Sequence, residues 1–339
     1  MPGNSFGKAL VLTTFGESHG TAVGGIIDGL PSCLEIDVPF IQAELNRRKP
    51  GLDFFSSPRV EEDKVEILSG LFEGNSTGAP IAFIVYNQDQ KSTDYDHLID
   101  AFRPSHADFT WEKKFKIRDP RGGGRTSARE TLARVAGGAL AKLFLQTKNI
   151  LINATICQIG EFSIRDSSSH LLPKEILVFL EQLKTEGDTT GGVISCTISG
   201  VPAGLGEPVF DKLHADLGKA MLGINSVKGF EIGSGFRGAS MKGSEHNDLF
   251  VNDNGIIKTL TNHSGGIQGG ISNGEEICFR VAFKPVSTLM KAQQTVNASG
   301  EPVIIPGKGR HDVCVVPRAL PIVEAMAALV IADHLLRST

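Results

Sequence analysis

The chain has 339 residues, a formal net charge of −4, 40% hydrophobic and 21% charged residues, which is the composition of a globular protein of one large domain or two ordinary ones. The mildly acidic balance argues against wholesale nucleic-acid binding, and 6% aromatics with a single Trp (Trp111) leave no stacking platform for single strands. Five scattered cysteines, Cys33, Cys157, Cys196, Cys278 and Cys314, form no CxxC pair, which argues against a disulfide framework or zinc ribbon and suits reduced thiols in a cytoplasmic protein.

The first twenty residues lack the charged-then-apolar pattern of a signal peptide. A strand over Ala9–Thr14 leads into Gly16-Glu17-Ser18-His19-Gly20, where His19 is either a general acid at a cleft or an ordinary turn residue. A helix over Phe40–Arg48 ends in Arg47-Arg48-Lys49, which serves the helix dipole or a ligand. A strand follows over Ile81–Tyr86. Arg103-Pro104-Ser105-His106-Ala107-Asp108 places Arg and His on a Pro-fixed turn, suited to an anion and a proton. The stretch Arg118–Arg134, RDPRGGGRTSARETLAR, sets five arginines around three glycines and enters a helix over Ser127–Thr147. Ser127 and Glu130 fit a capping box. A glycine loop at a helix N-terminus offers free N–H groups and positive dipole, so this stretch reads as an anion site; the bland alternative is a solvated basic loop.

Strands over Ile150–Cys157, Val193–Ile198 and Ile277–Phe283, and helices over Lys174–Glu186, Pro208–Leu222 and Leu320–Leu336, complete the elements. His214-Ala215-Asp216 falls on a solvated helix face. Gly233–Gly238 matches G-x-G-x-x-G, but no helix follows, so a Rossmann reading fails. Asn262–Gly274 and Gly307–Asp312 are glycine-rich loops, the latter with Arg310; Lys284–Thr288 adds a Lys and two hydroxyls at a strand end. The longest C-terminal apolar run, Ala325–Ala332, is too short to span a membrane. Strands and helices mix without βαβ alternation, so α+β is expected. Glu73–Ile81 echoes Glu186–Ile194, which reads either as a duplicated half or as shared turn grammar. No G-x-S-x-G, P-loop, HExxH or EF-hand pattern occurs, and nothing points to a metal. The residues alone suit an enzyme for a small phosphorylated, carboxylated substrate, with room for a phosphate-bearing cofactor, and do not name its reaction.

Taken together and in order, TTFGESHG (Thr13–Gly20), RRKPG (Arg47–Gly51), RPSHAD (Arg103–Asp108), RGGGRTSARET (Arg121–Thr131), GIN (Gly223–Asn225), SGGIQGGISNG (Ser264–Gly274), FKPVST (Phe283–Thr288) and GRHDVCVVPRALPIVEAM (Gly309–Met326) resemble the chorismate synthase family over essentially the whole chain, 1–339, as a single domain. The resemblance implies a lyase of aromatic amino acid biosynthesis, the last step of the shikimate pathway. 5-Enolpyruvylshikimate 3-phosphate would lose phosphate and a ring hydrogen by 1,4-elimination, giving chorismate. Reduced FMN (FMNH2) is required without net redox change. The implied fold is a β-α-β layer sandwich, with central helices between antiparallel sheets and internal pseudo-twofold symmetry, assembled as a homotetramer.

By the same resemblance, His19 protonates the departing phosphate, His106 sits at the flavin, and Asp333 assists proton transfer to it. Ser18, Arg48, Arg103, Arg129 and Arg310 match substrate positions. Arg125, Thr126, Ser127, Asn225, Ser226, Gly269, Lys284, Pro285, Val286, Ser287, Thr288 and Arg310 match flavin positions. Ser105 stands where Gly is usual, Val313 where Pro is usual and Thr126 where Ser is usual. Phe54 replaces a basic or polar residue, which leaves NADPH only an indirect role, as external flavin reductant, and makes room for a separate flavin reductase. A non-catalytic flavin or phosphometabolite binder remains the competing reading; nucleic acid and membrane are not expected partners.

Overall fold

The computed structural model describes residues 3–49, 61–88, 98–121, 123–164, 172–308 and 312–338. Along the first half run β1 (Ser5–Phe6), β2 (Val11–Gly16), β3 (Ala22–Asp28), α1 (Val38–Arg48), β4 (Glu66–Ile67), the ribbon β5 (Leu71–Phe72) and β6 (Asn75–Ser76), β7 (Ile81–Tyr86), α2 (Asp108–Phe115) and α3 (Thr131–Gln146). The second half has β8 (Leu151–Ile159), β9 (Phe162–Ser163), α4 (Lys174–Glu186), β10 (Gly192–Ser199), α5 (Leu213–Leu222), β11 (Val227–Ile232), α6 (Gly243–His246), the hairpin β12 (Phe250–Asp253) and β13 (Ile256–Thr259), the ribbon β14 (Ile267–Gln268) and β15 (Ile271–Ser272), β16 (Ile277–Phe283), the hairpin β17 (Gln293–Val296) and β18 (Pro302–Ile305), and α7 (Val316–Arg337).

Two antiparallel five-stranded sheets, ordered β1-β2-β3-β7-β4 and β11-β16-β10-β8-β9, enclose a helical layer. Helix α3 packs on β2 and β3, α7 packs on β8 and β10, and the two helices pack on each other. Both are buried nearly all round, as a helix between two layers must be. Helix α7 is long and apolar enough to cross a membrane, but 83% of its apolar window is buried inside this core. The α+β sandwich with central helices is therefore as the sequence predicts.

The pseudo-twofold symmetry is present, and in a different register from the Glu73/Glu186 echo. The series β2-β3-α1-β4-β7-α3 recurs as β8-β10-α5-β11-β16-α7, with matching strand orders β2-β3-β7-β4 and β8-β10-β16-β11. Ser76 Oγ donates to Pro31 O (2.6 Å) and accepts from Leu34 N (3.0 Å). Ser272 Oγ likewise donates to Pro202 O (2.6 Å) and accepts from Leu205 N (2.8 Å). The equivalent loops are thus 70–81 and 266–277, each entering the fourth strand of its half in chain order, whereas Glu186–Ile194 enters the second. The Glu73/Glu186 likeness is shared turn grammar.

Local signals explain most boundaries. Asp37 Oδ1 accepts from Phe40 N (2.9 Å) and caps α1. Gly187, in the left-handed region at φ 68°, ends α4. Helix α5 starts at Leu213, later than the expected Pro208, because Leu213 N is taken by Gly270 O (2.8 Å) and Glu207 N by Asp211 O (3.0 Å) in a closed turn. The Ser127–Glu130 box does not form reciprocally. Ser127 Oγ accepts from Arg129 N (3.4 Å), while Glu130 pairs with Arg134 (2.8 Å), and the chain enters α3 through two 3₁₀ turns.

The crossing of α3 and α7 is tightest at Gly138, where an added Cβ would lie 2.3 Å from Ala325 Cβ. Gly138→Ala should therefore force the helices apart and destabilise the fold by about 1–3 kcal/mol. Thermal melts against Gly243→Ala, whose Cβ meets nothing within 4 Å, check this; equal melting temperatures would mean the crossing can open without cost.

Candidate active site

The loops at one end of both sheets converge. The Gly16–Gly20 turn leaves β2, and Ser18 N donates to Gly124 O (3.3 Å) in the glycine loop before α3. Ser18 Oγ and His19 Nδ1 lie 3.1 Å apart, both buried. A cleft of about 320 Å³ is lined by Glu17, Asp119, Arg121, Gly123, Arg125 and Thr126, among others. Glu17 and Gly20, on either side of Ser18 and His19, both line this cleft.

His106 enters from the other side. Ser105 holds φ at 56°, the left-handed region, which accounts for Gly being usual there. His106 Nδ1 meets Asp108 Oδ1 at 2.9 Å, and Asp108 takes Arg103 Nε (2.7 Å) and Nη2 (2.8 Å) in a buried fork. Burial alone would raise the Asp108 carboxyl, but the Arg103 and His106 contacts outweigh it and hold it far below the carboxylate range. Burial, helped by Arg103 and Lys284, lowers His106 below 6.5 against the opposing pull of Asp108. Neutral His106 then donates Nδ1–H to Asp108 and leaves Nε2 as an acceptor. Lys284 Nζ reaches Ser287 Oγ (2.6 Å), which donates to Ser105 O (2.9 Å), so the Lys284–Thr288 segment after β16 is tied to the His106 loop. Thr189 Oγ1 donates to Val286 O (2.9 Å).

A second, smaller pocket opens where α3 and α7 begin. Ala128, Thr131, Val315 and Arg318 line it together with Arg48, Asn225 and Ser226. Two helix N-termini thus face one space, a favourable place for anions. Asn225 Nδ2 donates to Thr126 O (3.1 Å), and Ser226 O accepts from Lys284 N (2.9 Å). Arg48 Nε and Asn225 Oδ1 are buried here without a hydrogen-bond partner, one donor and one acceptor in the same pocket.

Asp63, Glu61 and Asn87 are site residues that the motifs did not indicate. Asp63 bridges Arg48 Nη2 (2.8 Å) and Arg129 Nη1 (2.8 Å), with every partner buried. Glu61 also pairs with Arg129. Burial raises Asp63, but the two guanidiniums pull it net below its ordinary value. Desolvation and neighbouring Arg318 lower Arg48, opposed by Asp63. The arginine loop is therefore not a bare anion cradle. Arg118 binds the carbonyls of Leu98 and Ile99, Arg121 binds Asp119, and Arg134 binds Glu130 and Gly223 O. Arg125 spends its guanidinium on Gly16 O (3.1 Å), Asn4 Oδ1 (3.0 Å) and Thr14 Oγ1 (2.8 Å), stapling β2.

The structure brings together Ser18, His19, Arg48, Arg103, His106, Thr126, Ser127, Arg129, Asn225, Ser226 and Lys284–Thr288. Arg310 and Phe54 lie outside the described residues. Gly269 sits in the β14–β15 turn beside the Ser199 end of β10, away from Lys284 at the Gly192 end. Asp333 is at the far end of β2: its Oδ1 accepts from Lys8 N (2.7 Å), Ala9 N (2.7 Å) and Leu10 N (2.9 Å). Six residues of β2 put it roughly 20 Å from the His19 turn. Asp216, expected on a solvated face, meets buried His334 (2.9 Å). All five cysteines are free, and burial first of all pushes Cys278 and Cys314 up to about 12, so neither supplies a thiolate.

The lowered His106 predicts a sign. The unfolded imidazole binds a proton near pH 6.5 and the folded one only at lower pH, so this group's contribution to stability is lost as pH falls through that window. Imidazole NMR should show His106 titrating below 6.5; a midpoint at or above 6.5 would contradict the burial argument.

The chain matches the family model described as chorismate synthase over residues 10–336. It is 56% identical to the chorismate synthase of Christiangramia forsetii, covering 100% of this chain and 99% of that protein. It is likewise 56% identical to that of Cytophaga hutchinsonii, covering 99% and 98%. A crystal structure of a chorismate synthase superimposes with a TM-score of 0.77 at 30% identity, covering 98% of this chain and 93% of that one.

Proposed function

The chain belongs to the chorismate synthase family, and from that premise we propose that it eliminates phosphate from 5-enolpyruvylshikimate 3-phosphate in the presence of reduced FMN, as a carbon–oxygen lyase in the cytoplasm. The observation that carries the reading is the pocket at the paired helix N-termini, where buried Arg48 Nε and Asn225 Oδ1 both lack partners. Such a pocket suits a ligand set offering both anionic oxygens and an N–H donor, as a phosphorylated dicarboxylate and a flavin ring together do.

Arg48, Arg129 and Arg103 orient the anionic substrate, held in place by Asp63, Glu61 and Asp108. His19, steadied by Ser18, protonates the departing phosphate oxygen. His106 holds a proton at Nδ1 against Asp108 and exchanges one at Nε2, with its ring edge close to Gly123. Thr126, Ser127, Asn225, Ser226 and Lys284–Thr288 would hold the flavin, and reduced FMN, when bound, would lend electron density as phosphate leaves and recover it as the ring hydrogen is lost. NADPH enters only as the reductant of that flavin, directly or through a separate reductase. Asp333 anchors the N-terminal strand, as its three backbone hydrogen bonds favour. The assembly would be a homotetramer, as in the family; exposed Leu249, Phe250, Ile256, Ile257 and Leu260 on and beside the β12–β13 hairpin favour self-association, since apolar side chains grouped in this way are seldom left in water.

Anaerobic mixing of protein, reduced FMN and enolpyruvylshikimate phosphate should yield chorismate. Absence of product, where a verified enzyme succeeds, would remove the reading. His19→Ala and His106→Ala should each slow turnover by roughly 10–10⁴-fold, the range of general acid–base groups and their neighbours.

A further inference from the structure

We infer that Asn87 is a positioning residue that couples the His19 turn to Arg129, a conclusion that rests on the proposed function. Asn87 follows the last residue of β7, and its backbone N–H donates to Thr21 O (3.0 Å). Its side-chain Nδ2 donates to Glu17 O (3.0 Å) and Gly20 O (2.8 Å), and its Oδ1 accepts from Arg129 Nε (2.7 Å). The two carbonyls bracket Ser18 and His19, so one amide group grips the turn on both sides of the proton donor. The same amide holds the guanidinium that Asp63 and Glu61 grip from the other side.

Only an amide meets this demand. It presents two donors and an acceptor on one rigid plane. Rotating it by half a turn would set its NH₂ against a guanidinium and its oxygen against two carbonyls, so the partners fix its orientation. The linkage therefore sets the distance between the group that protonates the leaving oxygen and the group that binds the substrate anion. Asn87 itself need touch no reacting atom. A shift of about 1 Å in such a frame costs about 10²-fold in rate.

Asn87→Asp separates the two halves of the linkage. The carboxylate keeps the acceptor for Arg129 but loses both donors and faces two carbonyls. The expected result is a kcat lower by about 10–100-fold, with KM for enolpyruvylshikimate phosphate within about 3-fold of wild type, a difference well under one hydrogen bond to a charged group. In a His19→Ala background the same change should add little further loss, because residues that act as one unit are not additive. Wild-type kcat in Asn87→Asp, or fully additive losses in the double variant, would overturn the inference. Should Asn87→Asp melt below the assay temperature, Asn87→Ser carries the same readouts without adding charge. An inactive wild type under reduced flavin would instead strike the proposed function.

Discussion

One buried carboxylate organises the helical layer. Glu324, midway along α7, takes Arg47 through both oxygens (2.6 and 2.9 Å), Lys142 Nζ (2.6 Å) and the backbone N–H of Ala154 (3.1 Å). Helices α1, α3 and α7 and strand β8 therefore meet at one charge. Its burial would raise the carboxyl, yet Arg47 and Lys142 together hold it below its ordinary range, and Glu324 in turn raises Arg47. Removing one partner from such a cluster leaves the others buried and unpaired, typically a loss of about 3–5 kcal/mol. The consequence for the site is directional. Successive residues of a helix point about 100° apart, so fixing Arg47 on Glu324 turns Arg48 toward the pocket at the helix starts. Arg318 reinforces this by donating to Arg48 O (3.1 Å).

The duplicated architecture explains why the site lies where it does. Each half ends its β-β-α-β-β series with a long helix, α3 or α7, which comes after the fourth strand of the series in the chain. Bringing the halves together sets the two N-termini side by side, with Thr131 and Arg318 on the walls of one pocket. Neither half owns the pocket. The first contributes Arg48, Ala128 and Thr131, and the second contributes Asn225, Ser226, Val315 and Arg318.

Much of this was legible in the sequence, for reasons that can be named. Ile81–Tyr86 and Ile277–Phe283 alternate or run apolar between turn residues, and both strands form within the predicted bounds. Lys174–Glu186 is amphipathic and ends in glycine, and it forms as predicted. Strand β3 was not legible, because Gly24 and Gly25 argue against a strand. They are needed there: a Cβ on Gly24 would lie 2.4 Å from Phe83 O and 2.6 Å from the Phe15 ring. At the site, the His and Arg motifs pointed to the right loops, but an arginine's motif says nothing of its partner. Asp63, Glu61 and Asn87 reach Arg129 across 66, 68 and 42 residues of chain, beyond any local pattern. Asp333 is the converse case. A carboxylate near a helix end carries no signal that three backbone N–H groups from the far side of the chain will claim it.

The paired state of the arginines bears on how the site can bind anions at all. Bare, the buried Arg48 and Arg129 with half-buried Arg318 beside Arg48 would set like charges together with little solvent, which is costly. Asp63, Glu61 and Asp312 neutralise them one for one. Neutralised forks still have direction: Asp63 consumes Nη2 of Arg48 and leaves its buried Nε without a partner. An incoming phosphate or carboxylate then gains a hydrogen bond to a pre-aimed donor and the field of two helix N-termini, without having to reorganise the guanidiniums. The acidic residues thus weaken the net charge of the pocket while sharpening its geometry. That trade suits a site whose task is to hold a multiply anionic molecule in one orientation and still release an anion at each turnover.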